Sequence, residues 1–176
     1  MDRIQKAVIL ATRYHMGVVR KGIPIPYIAH PLEVMKRLSD IGVTDDVTLC
    51  AALLHDVLED ADEKSRPFMR KTIKDECGQD VLDVVEALTY YRDTGTKEEY
   101  IASFSEKSPE ACVVKVMDRI CNVLDFRASG SEYAEKYAEK GLPIRDLIYR
   151  KSLLDKFGED VIKKLMSFSS QVWKIF

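Results

Sequence analysis

Apolar residues recur along this chain with a period near 3.6, and nowhere is there the sustained alternation that a strand requires. Ile4, Ala7, Val8, Ala11 and Tyr14/His15 predict an amphipathic helix over residues 4 to 16, which Gly17 helps to end. Residues 20 to 29, Arg-Lys-Gly-Ile-Pro-Ile-Pro-Tyr-Ile-Ala, hold two prolines and a glycine and predict an extended loop. His30-Pro31 opens a second helix, with Pro31 at the first helical position and Leu32, Val34, Met35 and Leu38 on one apolar side. Thr44-Asp45-Asp46 offers N-caps for a helix over residues 46 to 60, whose near-continuous apolar character marks it as central and buried. Residues 61 to 70, polar and containing Pro67, read as a loop. Periodicity resumes through Met69 to Ile73, breaks at Gly78, and resumes from Val81 to Leu88.

Tyr90 to Gly95 predicts a second loop, followed by a short helix over residues 96 to 106 that carries Lys97, Tyr100, Ile101 and Phe104. Ser108-Pro109-Glu110 signals the start of a long helix over residues 111 to 126. Beyond Arg127 the pattern predicts a turn at Ser129-Gly130, a helix over residues 131 to 140, a break at Gly141-Leu142-Pro143, and two further helices ending in Trp173 and Phe176. The expected fold is all-α: one helical bundle of about eight to ten helices spanning residues 1–176, without repeats or linkers.

A chain of 176 residues buries roughly 70% of its unfolded surface, enough for a real core. The 27 basic and 29 acidic residues give a net charge of −2, which provides no global basic field for nucleic acid. No apolar stretch approaches the ~20 residues of a membrane span, and the first residues lack a secretory pattern, so a cytoplasmic location is expected. Cys50, Cys77, Cys112 and Cys121 show no CxxC spacing and sit mostly among apolar residues, as reduced core thiols do.

The unusual chemistry lies in Ala51-Ala52-Leu53-Leu54-His55-Asp56-Val57-Leu58-Glu59-Asp60. On a helix, His55 and Glu59 share a face, Asp56 and Asp60 share the next, and three carboxylates gather against the helix dipole at a stability cost. A second signal is the stripe Lys115, Asp118 and Asn122 on an otherwise apolar helix, where a lone buried carboxylate would cost several kcal/mol. His30, His55, Asp56 and Asp118 together offer two imidazoles and two carboxylates, a set that suits Mn²⁺, Fe²⁺ or Zn²⁺ with positions left for water and substrate. Glu59, one turn beyond His55, is placed to reach such a water without ligating the metal. Arg20 and Lys21 are either free to meet an anion or simply solvated. His15 is expected as a packed ring hydrogen-bonded to the ligands' surroundings, and Arg119 in a structural pairing role.

The order H…HD…D resembles the HD-domain phosphohydrolase superfamily. Arg20-Lys21, Pro26-Tyr27-Ile28-Ala29-His30-Pro31-Leu32, the run from Ala51 to Asp60, and Lys115-Val116-Met117-Asp118-Arg119-Ile120-Cys121-Asn122 narrow the likeness to the hydrolase domain of RelA/SpoT-type proteins, in particular the small stand-alone alarmone hydrolases. The resemblance covers roughly residues 1 to 127, leaves 128 to 176 as a helical extension of the same domain, and shows no synthetase domain. It implies metal ligands His30, His55, Asp56 and Asp118 with Mn²⁺ as the usual ion, and Glu59 and Asp60 as the catalytic acidic pair. Asn122, Arg20 and Lys21 would contact the nucleotide, with Lys97 and Tyr100 in a region that contributes phosphate contacts. The activity implied is hydrolysis of the 3′-diphosphate of (p)ppGpp to GDP or GTP and pyrophosphate. The partner is then a small nucleotide, neither nucleic acid nor membrane, and a homo-oligomer is compatible with it.

Departures from the family pattern touch the pocket rather than the ligands. Val18 follows Gly17 where glutamine is usual, Ala61 replaces threonine after the acidic pair, Val116-Met117 replaces leucine-alanine, and the arginine loop has its own glycine spacing. Two alternatives therefore stand beside the first reading: an HD phosphohydrolase for another nucleotide, such as the 2′-phosphate of NADPH or a 5′-nucleotide, and a non-catalytic nucleotide-binding module.

Overall fold

The computed structural model describes residues 1–173, so the helix end expected at Phe176 lies outside the described residues. Among those residues the regular structure is all helix, apart from an isolated β-bridge between Val19 and Pro26. The helices are α1 (Arg3–Tyr14), α2 (Ala29–Asp40), α3 (Asp46–Leu54), α4 (Val57–Asp60), α5 (Arg66–Cys77), α6 (Gln79–Leu88), α7 (Lys97–Ala102), α8 (Pro109–Ala128), α9 (Tyr133–Glu139), α10 (Leu142–Arg145), α11 (Lys151–Phe157) and α12 (Glu159–Val172). Two short 3₁₀ segments, Ser103–Ser105 and Asp146–Tyr149, follow α7 and α10. The all-α expectation holds, with more segments than the eight to ten foreseen.

α3 is the hub. Every residue from Thr48 to Leu54 is buried, and the helix packs against α1, α2, α6 and α8. Fully burying Leu53 and Leu54 stabilises the fold by about 1.5–3 kcal/mol each, so truncating either to alanine would be felt across four neighbouring helices. Asp45 begins α3 by accepting hydrogen bonds from the Val47 and Thr48 amides at 3.2 and 3.3 Å.

The helix expected over residues 46 to 60 is in fact two. At the end of α3 the His55 ring meets the Ala52 carbonyl at 2.7 Å, satisfying one of the acceptors that a helix C-terminus leaves open. The chain turns through His55 and Asp56, and the Asp60 amide then donates to the Asp56 carbonyl at 2.9 Å to make the single turn of α4. His55–Glu59 and Asp56–Asp60 are therefore not pairs on one continuous helix.

Other boundaries also shift. Residues 20 to 29 are not extended: Arg20 and Tyr27 amides donate to the Ile25 and Val18 carbonyls at 2.9 and 2.8 Å, closing a tight loop. α2 begins two residues before Pro31, and α5 begins at Arg66, within the predicted loop, with Pro67 in its first turn where the missing N–H has no intrahelical partner to lose. Gly141-Leu142-Pro143 starts α10 rather than merely breaking α9, for the same reason. α8 is buried along most of its length, and α9 to α12 pack around it, so that residues from Ala7 to Trp173 share one hydrophobic cluster.

Candidate metal centre and its rim

Three elements converge beneath the turn between α3 and α4. His30 comes from the first turn of α2, His55 and Asp56 from the turn itself, and Asp118 from the middle of α8. Single donor atoms of His30, His55 and Asp118 all lie within 4.8 Å of one another, and all three residues are buried. Asp118 Oδ1 is 3.1 Å from His30 Nε2 and 3.6 Å from His55 Nε2. Asp56 Oδ2 is 3.1 Å from His55 Nε2 and 3.8 Å from His30 Nε2, so the fourth predicted residue adjoins the two histidines but stands outside the group of three donors that lie within 4.8 Å of one another.

The donor chemistry fits a divalent cation. His55 Nδ1 faces the Ala52 carbonyl and so carries the ring hydrogen, which leaves Nε2 as the lone-pair nitrogen. That Nε2 is buried and has no hydrogen-bond partner, although it points among carboxylates. A buried acceptor without a donor is costly, and a cation removes the cost.

Electrostatics tie the cage together. Burial alone would raise the Asp118 carboxyl, but Lys115 first, then His30 and His55, hold it well below the usual range. Burial likewise opposes ionisation of Asp56, and the adjoining His55 overrides it downward. For His55, burial favours the neutral ring while Asp56 and Asp118 draw its proton affinity well up, so proton and cation compete for Nε2.

The rim is built differently. Glu59 and Asp60 are exposed on α4, and Glu59 Oε2 accepts the Tyr90 amide hydrogen at 3.1 Å. Although the Asp60 side chain reaches solvent, partial burial, then Asp56 and Glu59, push it up to about 6. Arg20 donates to Asn122 Oδ1 at 2.6 Å and to Asp125 Oδ2 at 3.0 Å, and its guanidinium lies 5.4 Å from the Tyr27 ring centre. Asn122 in turn donates to the Asp118 carbonyl at 3.0 Å and to its carboxylate, so two residues singled out from distant segments form one chain into the cage.

Lys21 is exposed and joins none of these bonds. Lys97 opens α7, and burial, followed by Arg119 and Lys115, lowers its proton affinity. Tyr100 is half-buried, with its hydroxyl donated to the Leu88 carbonyl and its ring packed against Tyr90, Phe104 and the Lys107 ammonium.

Two contributors had no role assigned from sequence. Tyr27 donates its hydroxyl to Asp56 Oδ2 at 2.7 Å, and Lys115 donates to Asp118 Oδ2 at 3.0 Å. The i, i+3 spacing to Asp118 was the local signal for Lys115; nothing local could place Tyr27 against Asp56, 29 residues on. His15 is buried against Tyr27, ring centres 4.8 Å apart, but its Nε2 finds no partner, so it supports the site by contact and not by the expected hydrogen bond. Arg119 pairs with an aromatic ring, stacking 4.2 Å from the Tyr137 ring centre, and makes no ion pair among the described residues. The four cysteines are buried and free.

Comparison with known proteins bears on this geometry. The profile of the HD domain matches residues 7–144. Guanosine-3′,5′-bis(diphosphate) 3′-pyrophosphohydrolase of Aquifex aeolicus is 31% identical over 81% of this chain, which spans 20% of that protein's length. Guanosine-3′,5′-bis(diphosphate) 3′-pyrophosphohydrolase MESH1 of Homo sapiens is 33% identical, over 70% of this chain and 69% of its own. A solved structure of a metazoan ortholog of SpoT, described as hydrolysing ppGpp, superposes with a TM-score of 0.77 at 24% identity, covering 97% of this chain and 96% of that one. The chain belongs to the HD-domain family, with the MESH1 proteins among its relatives.

Proposed function

We propose that this chain is a metal-dependent pyrophosphohydrolase that removes the 3′-diphosphate of (p)ppGpp, using Mn²⁺ held by His30, His55, Asp56 and Asp118. The observation that carries this reading is the buried, unpartnered Nε2 of His55 facing three further donors, in a chain whose relatives bear that activity in their names. A divalent cation there supplies Lewis-acid charge for phosphoryl oxygens and lowers the pKa of water toward ~7.

The protein's own groups divide the remaining work. Glu59, fixed by the Tyr90 amide, orients and deprotonates the attacking water, with Asp60 beside it on the rim. The water oxygen adds to phosphorus, the bond to the 3′ oxygen breaks, that oxygen takes up a proton, and pyrophosphate leaves. Arg20, Asn122 and Lys21 hold the nucleoside side, while Lys97 and the Tyr100 ring face the phosphates. Arg20 suits its part because a planar guanidinium can stack on a base while keeping its fork. Residues 128–176 belong to the same catalytic unit in this reading, and the enzyme works in the cytoplasm on a small nucleotide.

The test is turnover of ppGpp, pppGpp and NADPH by metal-stripped protein reconstituted separately with Mn²⁺, Zn²⁺ and Mg²⁺. The expected result is release of pyrophosphate from ppGpp and pppGpp, fastest with Mn²⁺. Rapid turnover of NADPH with none of ppGpp under any ion would overturn the substrate assignment.

A further inference from the structure

Asp118 uses its two oxygens differently. Oδ1 faces the imidazoles, 3.1 Å from His30 Nε2 and 3.6 Å from His55 Nε2, and is also where Asn122 donates. Oδ2 turns away and accepts from Lys115 Nζ at 3.0 Å. Lys115 stands one turn before Asp118 on α8, among the buried residues Val113, Val114, Val116 and Met117. Its side chain is 13% exposed, and its ammonium lies 5.8 Å from the centre of the Tyr100 ring. Burial opposes that charge, and Asp118 foremost, then Tyr100 and Glu59, keep it in place. An ammonium so enclosed is held by one specific oxygen and in turn withholds that oxygen from anything else.

We propose that Lys115 is a positioning residue of the metal centre: by occupying Asp118 Oδ2 it makes the carboxylate meet the cation through Oδ1 alone. The proposal rests on reading the four donors as a metal site. It has two consequences. A coordination position that a second carboxylate oxygen would fill stays open for water and a phosphoryl oxygen, as catalytic sites require. The lysine's charge also offsets the cage's negative potential, so the site gives up some affinity for the cation to keep that position open. Lysine at this point thus weakens metal binding while aiding turnover, the opposite of what a merely structural pairing would do.

Metal-stripped wild type, Lys115→Met and Lys115→Gln, each checked for helicity by circular dichroism, would be titrated with Mn²⁺ while free ion is followed by electron paramagnetic resonance. Turnover of ppGpp would be measured in parallel. Lys115→Met is expected to bind Mn²⁺ about tenfold more tightly, because a unit positive charge a few ångströms from the ion is gone, and to lose about 10- to 100-fold in kcat. Lys115→Gln, which keeps a donor for Oδ2 without the charge, should also bind more tightly but retain more of kcat. Weaker Mn²⁺ binding by a helical Lys115→Met, or an unchanged kcat, would overturn the proposal. If the methionine variant fails to fold, the glutamine variant decides by the same two readings. Should wild type turn over no ppGpp, the assigned substrate falls, while the Mn²⁺ titration still judges Lys115.

Discussion

The cage and the rim of this site are made of similar residues put to opposite uses. In the cage, His30, His55 and Asp118 are buried, and each is tied to another cage residue or to backbone. On the rim, Glu59 and Asp60 are exposed and carry few bonds, and Arg20 spends its donors on Asn122 and Asp125. The difference teaches that holding a cation needs rigid donors fixed before it arrives, whereas handling water and substrate needs groups that can exchange partners.

That division can be broken most sharply by Asp56→Ala. It removes a donor without cutting a helix, so Mn²⁺ content and turnover should both fall to background while circular dichroism remains helical; normal turnover would dissolve the cage as defined here. Glu59→Gln should instead lower kcat by about 10²–10⁴-fold with Mn²⁺ affinity unchanged, and loss of the metal in that variant would move Glu59 into the cage. Tyr27→Phe deletes the hydroxyl that orients Asp56 Oδ2, so a 10- to 100-fold loss in metal affinity or activity is expected, smaller than for Asp56→Ala.

The smallest effect is on stability and pH. Asp60 has a folded pKa of about 6 against an ordinary 3.8 in the metal-free protein. The folded state therefore binds its proton more tightly, and the stabilisation linked to that proton is complete below about pH 4 and lost as pH rises through about 6. Urea melts of metal-free Asp60→Asn should show a variant more stable than wild type at pH 7, an advantage that vanishes by pH 4. An advantage constant over that range would mean that Asp60 is not held in the acidic cluster described.

Much of the cage was legible in the sequence because its chemistry is concentrated. His55-Asp56 ends an apolar run, and Asp118 interrupts an apolar helix; both are anomalies that burial makes expensive. The helix types were legible for the related reason that α1, α2 and α6 each keep one periodic apolar side. What escaped depended on contacts between distant segments. The break after Leu54 arises from a side chain bonding a carbonyl three residues back, which no periodicity reports, since Val57 and Leu58 continue the apolar pattern unbroken. Tyr27 gained its role from Asp56, and Arg119 pairs with the ring of Tyr137, which its own sequence neighbourhood does not name. Pro67 reads as part of a loop and Pro143 as part of a break, yet both sit in first turns, where proline is tolerated.

The distance along the chain between His30 and Asp118, 88 residues, has a consequence for assembly. Because these donors meet only when α2, α3 and α8 have docked, an ion bound there acts as a clip across a long loop, and the entropy of closing that loop is spent by the fold before the ion binds. The ion's affinity then adds to the stability of the docked state alone, so a saturating divalent cation should raise the unfolding temperature in proportion to the logarithm of its concentration. The cage is thereby a gauge of whether the bundle has closed.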